Sequence, residues 1–524
     1  MIKNRYTSII DRVAHWGGVA IMVLVVLEMI LFFSLQNVAA CGMTLLCWSI
    51  YRSVGLKEWV VTKHLFPWLV FTSMSLYRIL PLFATLCEYK PITYRFEMPY
   101  ETILWESILY VVSALAFYFA VYRTDESPNL LKRILIKLQF YDEPSDMLIW
   151  AIGLFGFGVN IFLLFSVGDI EIGDVVGKFL AGFGYLNVAP ILLMFPSLYK
   201  RDSDILFSRS NLALLYFVTL IIVSFATNSR QAMLLPIGTF VILFFLSIIK
   251  TKSDYKKIIS LKGIFIAFVV MVFALPAITD ISDAMIATRA FRGVVDRSQL
   301  LEQTWKMYND KEQLKRFREA KDQIRGVDSY AEGWTEEYVD NFALNRYCNM
   351  RITDITLYHA QRVGYADKRM QHAFWDRMLA LLPMPILNFL GLKVNKVDIY
   401  SRGDLLYSLS RNSNLEVGLR VTSHVADGLV TFGYCYFLLQ FVLFYIQFIL
   451  LDCFQINCGR KTIYSTLGLI SIFSFLAMFR NANGALGEMQ YIVRGFVQSL
   501  FMYLLCFKII STFISNKNGK RLRC

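Results

Sequence analysis

Long apolar runs alternate with short basic segments along most of this chain, and a single long polar stretch interrupts them. The runs fall at about 17–35, 38–51, 65–87, 103–122, 147–167, 179–199, 212–226, 232–249, 263–278, 429–451, 463–479 and 491–513, near the length a membrane-spanning helix needs. They are continuous rather than alternating, which predicts an all-α polytopic membrane protein with about twelve transmembrane helices and argues against a β-barrel. Arg78 and Pro81 are expected to interrupt the third run. The segment 129–140, with Lys132, Arg133 and Lys137 among its leucines and isoleucines, predicts an amphipathic helix on the membrane surface.

Residues 281–426 form the polar interruption. The expected organisation is therefore a membrane bundle at 1–280 with about nine spans, a large, mostly helical loop domain at 281–426, three spans at 427–514 and a basic tail at 515–524. Within the loop, 303–324 reads as a solvated helix. The stretch 350–362 reads as a helix with Arg351, Asp354, Tyr358 and Arg362 near one face. The stretch 373–389 is apolar and broken by Pro383 and Pro385, as expected of a segment lying along a membrane or dipping into it.

Composition agrees with a membrane protein: 56% of the 524 residues are hydrophobic and 18% charged, with a mean hydropathy of +0.49. The net charge of +13 would point to nucleic acid in a soluble protein. Here the excess sits in short loops, where the positive-inside rule places both termini in the cytoplasm and the large loop on the opposite face. That face is the periplasm if the membrane is the inner membrane of a Gram-negative bacterium. The first run reads as a retained span rather than a signal peptide. The 9 cysteines do not form a disulfide framework, and Cys453 and Cys458 have no nearby histidine to complete a zinc site. No P-loop, HExxH or Cys/His metal motif occurs, and the first outer loop holds no acidic pair. Any chemistry is thus expected to depend on arginines, without metal or cofactor.

Several groups are candidates, each with a plainer alternative. Arg230, in Asn228-Ser229-Arg230 at a span edge, is a guanidinium fork for a lipid-linked phosphate or a snorkelling arginine. Arg289 and Arg292 share a helical face and suit a diphosphate or membrane headgroups. Arg351 and Asp354 form a site for a sugar or phosphate, with Asp354 as orienter or base, or else an intrahelical ion pair. In Arg420-Val-Thr-Ser-His424-Val-Ala-Asp427, His424 is a candidate general base oriented by Asp427, or an interfacial histidine near a helix cap. His359 and His372 are weaker rivals. Arg480 and Arg494 flank the last outer loop, and Glu28, Arg78 and Glu106 are intramembrane charges that are functional or paired for structure.

This layout resembles the Wzy-type O-antigen and exopolysaccharide repeat-unit polymerases. Thr227-Asn228-Ser229-Arg230-Gln231 is similar to that family's Ser-Arg at the outer start of a mid-chain span. Arg351-Ile-Thr-Asp354, with Leu381-Leu-Pro-Met-Pro385 after it, is similar to the arginine-bearing helix and the proline segment of the family's large loop. The stretch from His424 through Asp427 to Phe432-Gly433 resembles the return into the membrane. The chain departs from the pattern at Met384, where relatives often carry arginine.

The resemblance implies a glycosyltransferase of lipopolysaccharide or polysaccharide biosynthesis in the inner membrane. It would join undecaprenyl-diphosphate-linked repeat units, with His424, Arg351 and Asp354 catalytic. Arg230, Arg289, Arg292, Arg420, Arg480 and Arg494 would bind substrate. Membrane lipid and a chain-length regulator are the implied partners. An O-antigen ligase, a lipid-linked oligosaccharide flippase and a non-enzymatic assembly protein remain as alternatives.

Overall fold

The computed structural model describes residues 9–123, 128–165, 179–226, 230–252, 279–291, 297–324, 329–382, 384–392, 400–418, 420–459 and 461–514. Helix dominates them. Seven helices among the described residues are long and apolar enough to cross a membrane: Ile9–Leu31, Leu65–Cys87, Pro99–Tyr122, Asp146–Leu163, Ala232–Thr251, His424–Asp452 and Gly487–Phe513. Two apolar helices, Phe179–Met194 and Asn211–Ser224, are shorter. The run expected at 38–51 is the 16-residue helix Leu35–Ile50, begun by the Ser34 hydroxyl accepting from Asn37 N. The run at 263–278 lies outside the described residues.

Two expectations change. Helix Leu65–Cys87 continues through Pro81, because a span buried by its neighbours tolerates the missing amide donor. The run at 463–479 is not one helix. An antiparallel hairpin, Gln455–Cys458 with Lys461–Tyr464, enters it, and the rest divides into the short helices Thr466–Ile470 and Ile472–Leu476. Gly459 takes a positive φ of 59° at the hairpin turn. The chain divides into two compact units: 1–126 with 325–452 and 475–497, and 127–324 with 453–474 and 498–524.

In the second unit, helix Asp146–Phe165 packs on the 3-10 stretch Gly184–Met194. Tyr216 ties the two by donating to Asn187 O (2.7 Å) and Gly153 O (3.3 Å). Gly153 and Gly156 face Pro190 and the 186–187 backbone so closely that a side chain at either would collide. The amphipathic helix lies in this unit as Leu130–Lys137, capped by Asn129, with Leu135 buried and Leu130 and Ile134 exposed. The basic stretch expected as one helix at 303–324 is two, Arg297–Asn309 and Lys311–Ile324.

The first unit carries the candidate chemistry. Residues 325–426 of the polar interruption belong to this unit together with the N-terminal helices. Tyr338 is buried against Ala84 and Cys348, and its hydroxyl donates to Ile92 O. Glu88, just past the helix Leu65–Cys87, accepts from the amides of Asp340 and Asn341 (2.8 and 2.9 Å). The predicted helix at 350–362 is present as Arg351–Val363, with Arg351 and Asp354 buried and Arg362 on its exposed side. The apolar stretch at 373–389 contains the end of helix Lys368–Ala380 and the helix Met384–Phe389; Pro383 lies outside the described residues.

Candidate functional site

The polar groups inside the first unit form a connected buried network. A guanidinium inside an apolar helix is costly unless paired, and Arg78 meets Glu106 of the neighbouring helix Pro99–Tyr122 at 2.7 Å, both buried. Arg78 also donates to Glu106 O (3.1 Å) and Met74 O (2.8 Å). The other carboxylate oxygen, Glu106 Oε1, accepts from the Thr353 hydroxyl at 2.5 Å. Asn481 Nδ2 lies 2.6 Å from Thr353 Oγ1 and 2.7 Å from the Tyr77 hydroxyl. Its Oδ1 accepts from the backbone amide of His424 at 2.9 Å. One asparagine thus links the helices that carry Arg78, Thr353 and His424.

His424 opens the helix His424–Phe432, which Ser423 caps by accepting from Ala426 N. Its imidazole is buried and stacked on Phe479, with ring centroids 5.1 Å apart. Nε2 lies 3.4 Å from Glu488 Oε1, and Nδ1 lies 3.5 Å from the Tyr436 hydroxyl. Gln440 donates to the other oxygen of Glu488 at 3.2 Å. A histidine between a carboxylate and a hydroxyl is suited to moving a proton.

The expected orienting role of Asp427 is not what the structure gives it. Asp427 turns to Arg402, whose Nε lies at 2.6 Å, and accepts from Ala485 N at 3.1 Å. Each nitrogen of Arg402 has one partner: this carboxylate, Met370 O and the Thr431 hydroxyl. Together they form a buried clamp between the helices Arg402–Arg411 and His424–Phe432 and the turn Asn481–Leu486. Gly484 lies against the clamp at φ 63° and ψ −169°, a conformation open to glycine alone. A Cβ there would lie 2.7 Å from Asp427 Oδ2 and 2.8 Å from Thr422 Oγ1. Gly484→Ala is expected to cost about 1–3 kcal/mol and to lower the thermal unfolding midpoint of the detergent-solubilised protein. An unchanged midpoint would refute this account of the turn.

Arg351 and Asp354 do not pair with each other. Asp354 caps the helix Pro99–Tyr122 from a distance. Its carboxylate accepts from Glu97 N (2.7 Å), Met98 N (3.1 Å) and the hydroxyls of Thr102 (2.9 Å) and Tyr330 (2.7 Å). Burial pushes its carboxyl up to about 6, against these four donated hydrogen bonds. With every oxygen engaged, Asp354 is placed to position the helix rather than to take a substrate proton. Arg351 is the opposite case. It is buried at 1% exposure and donates through Nη1 to Glu337 O at 2.8 Å, while Nε and Nη2 have no hydrogen-bond partner in the protein. A buried guanidinium with two unused donors is matched to an anion.

The remaining candidates are dispersed. Arg420 pairs with Asp404 (3.1 Å) and covers the Tyr407 ring at 4.2 Å. Arg480 is half-buried and donates to Ala477 O at 3.2 Å. Arg494 sits exposed in a π-helical turn, Tyr491–Gly495. Arg230 begins the helix Arg230–Thr251 and Arg289 lies in the turn Thr288–Phe291, both in the second unit. Arg292 and the side chains of Arg230 and Arg289 lie outside the described residues. Among the described residues no group of three or more His, Cys, Asp or Glu is placed to hold a metal ion.

Sequence reasoning missed Glu488, Asn481 and Arg402. Glu488 had a signal, since it is an acid at the edge of the last apolar run. Arg402 had none, being one arginine among many in a polar stretch.

Fold and network together define a mostly helical membrane-embedded protein with a polar, charge-paired interior. No family model, curated protein or solved structure matches the chain.

Proposed function

We propose that this protein is a membrane glycosyltransferase that polymerises lipid-linked oligosaccharide repeat units, with His424 as the base and Glu488 as its orienter. The observation that carries the reading is the buried His424–Glu488 pair, joined through Asn481 to the helix that presents the unsatisfied Arg351. In this reading the chain crosses the bacterial inner membrane about twelve times, with both termini cytoplasmic and the residues of the polar interruption facing the periplasm.

Transfer from a glycosyl diphosphate needs two things from the protein: removal of a proton from the acceptor hydroxyl, and stabilisation of the departing diphosphate. Glu488 holds a proton on Nε2 of His424, which leaves Nδ1 to take the acceptor's proton. The acceptor oxygen then bonds to the anomeric carbon as the bond from that carbon to the diphosphate breaks. Undecaprenyl diphosphate leaves with the electron pair. Arg351 supplies two donors to its charge, and Arg420, Arg480 and Arg494 add positive potential along the glycan path. No metal is needed for either half.

The test is reconstitution. Purified protein in liposomes would be mixed with undecaprenyl-diphosphate repeat units from its own host and the products resolved on a gel. The expected result is a ladder spaced by one repeat unit, slowed about 10²- to 10³-fold in Arg351→Ala, the typical effect of losing one donor to developing charge. A ladder of native intensity from folded Arg351→Ala would remove Arg351 from the mechanism. A single transfer to lipid A core instead of a ladder would make the enzyme a ligase.

A further inference from the structure

His359 lies outside the network just described, on the same helix as Arg351, and one of its ring nitrogens is left without a partner. Its Nδ1 is 2.7 Å from the Ser410 hydroxyl, and that hydroxyl donates its only proton to Tyr407 O at 2.8 Å. With the serine proton on Tyr407 O, the serine oxygen accepts from Nδ1–H and Nε2 is a lone pair. Nε2 is buried and has no hydrogen-bond partner in the protein. A buried polar atom left unmet is costly, so such groups call for an explanation.

The surroundings describe what would meet it. Trp334, half-exposed and in a stretch without helix, stacks on the imidazole with centroids 5.2 Å apart and planes 15° from parallel. The Tyr407 and Tyr358 rings stand edge-on to the same imidazole at 5.2 Å. The nearby cations are engaged. Arg411 donates to the Tyr407 hydroxyl at 2.6 Å, Arg420 pairs with Asp404, and Arg362 donates to the Tyr358 hydroxyl at 2.8 Å. The indole nitrogen of Trp334 donates to Glu336 at 2.7 Å, which anchors that ring at one edge only. Burial first, then Arg362, Arg411 and Arg420, hold the imidazole down at about 3, so it is neutral at any physiological pH.

Aromatic rings around one unmet ring nitrogen suit a sugar ring that stacks and hydrogen-bonds through one hydroxyl. We propose that the ring cluster of Trp334, His359 and Tyr407 is a binding subsite for a sugar ring of the glycan, with a sugar hydroxyl donating to His359 Nε2 and the Trp334 indole shifting from the imidazole onto the sugar face. This deepens the glycan-transfer reading and rests on it for the identity of the ligand. It adds a positioning subsite distinct from His424 and Arg351.

The test uses the full-length protein in detergent and the lipid-free repeat-unit oligosaccharide of its host as the probe. Affinity is read by equilibrium dialysis and by tryptophan fluorescence. His359→Asn retains an amide where Nδ1 meets Ser410 and removes Nε2 alone. It is expected to weaken binding about tenfold, the loss of one hydrogen bond to a buried partner. Trp334→Phe is expected to abolish the ligand-induced fluorescence change while the protein still elutes as a folded species. Native affinity in His359→Asn, or no binding of the oligosaccharide by the native protein, overturns the subsite.

The two readings fail separately. Binding that depends on His359, without any polymer ladder in the reconstituted assay, would keep the subsite and reject the polymerase. A ladder of native rate with His359→Asn, together with native affinity, would do the reverse.

Discussion

Arg78→Met is expected to destabilise the protein by about 3–5 kcal/mol, the usual consequence of stripping one partner from a buried ion pair. The cost comes less from the lost attraction than from the carboxylate left behind. Glu106 is fully buried, and only one of its oxygens has other donors, Thr353 and Asn481. Methionine fills the volume among the rings of Tyr77, Tyr110 and Phe479 that now surround the guanidinium. Steric collapse therefore contributes little, and the variant reads the charge directly. Arg78→Met combined with Glu106→Gln should recover most of the loss, because the amide keeps an oxygen for Thr353 and Asn481 and carries no charge. The measurement is the thermal midpoint in detergent for both single variants and the double, read as a thermodynamic cycle. Arg78→Met as stable as the native protein, or a double variant no better than the worse single, would show that the pair does not hold these helices together.

The pair also marks how far the sequence could be read. Charges inside apolar runs are visible without a structure, and Arg78 and Glu106 stood out as functional or structural for that reason. Their joining was one option among several, because apolar helices of similar length give no sign of which are neighbours. Periodicity found the helix Arg351–Val363 within a residue, since spacings of three and four are a local property. It could not say that Asp354 caps a helix more than two hundred residues upstream, which is a property of packing. Asp427 illustrates the same boundary from the other side. It lies near His424 in sequence, and nearness suggested a dyad. One helical turn carries the two side chains to different partners, Asp427 to Arg402 and His424 to Glu488. The hairpin at 455–464 was missed because its strands are short and run directly into an apolar segment, which a hydropathy pattern absorbs into one span.

That separation of Asp427 from His424 gives the second large effect. His424→Asn is expected to slow polymerisation per folded molecule about 10²- to 10⁴-fold, the contribution of a positioned general base. Asparagine removes the proton-accepting ring yet leaves the backbone amide that Asn481 holds. Glu488→Gln should give a smaller loss, since an amide can still orient the imidazole but does not stabilise its protonated form. Asp427→Asn should behave in the opposite way. It breaks the buried pair with Arg402, so the midpoint should fall, whereas the rate per folded molecule should stay near native because its carboxylate faces the clamp and not the imidazole. Gel ladders and midpoints measured on the same three preparations separate these outcomes. A His424→Asn protein that extends glycans at the native rate would remove His424 as the base. An Asp427→Asn protein that is stable but inactive would return Asp427 to the role its sequence position suggested, and would mean that the imidazole turns away from Glu488 when substrate binds.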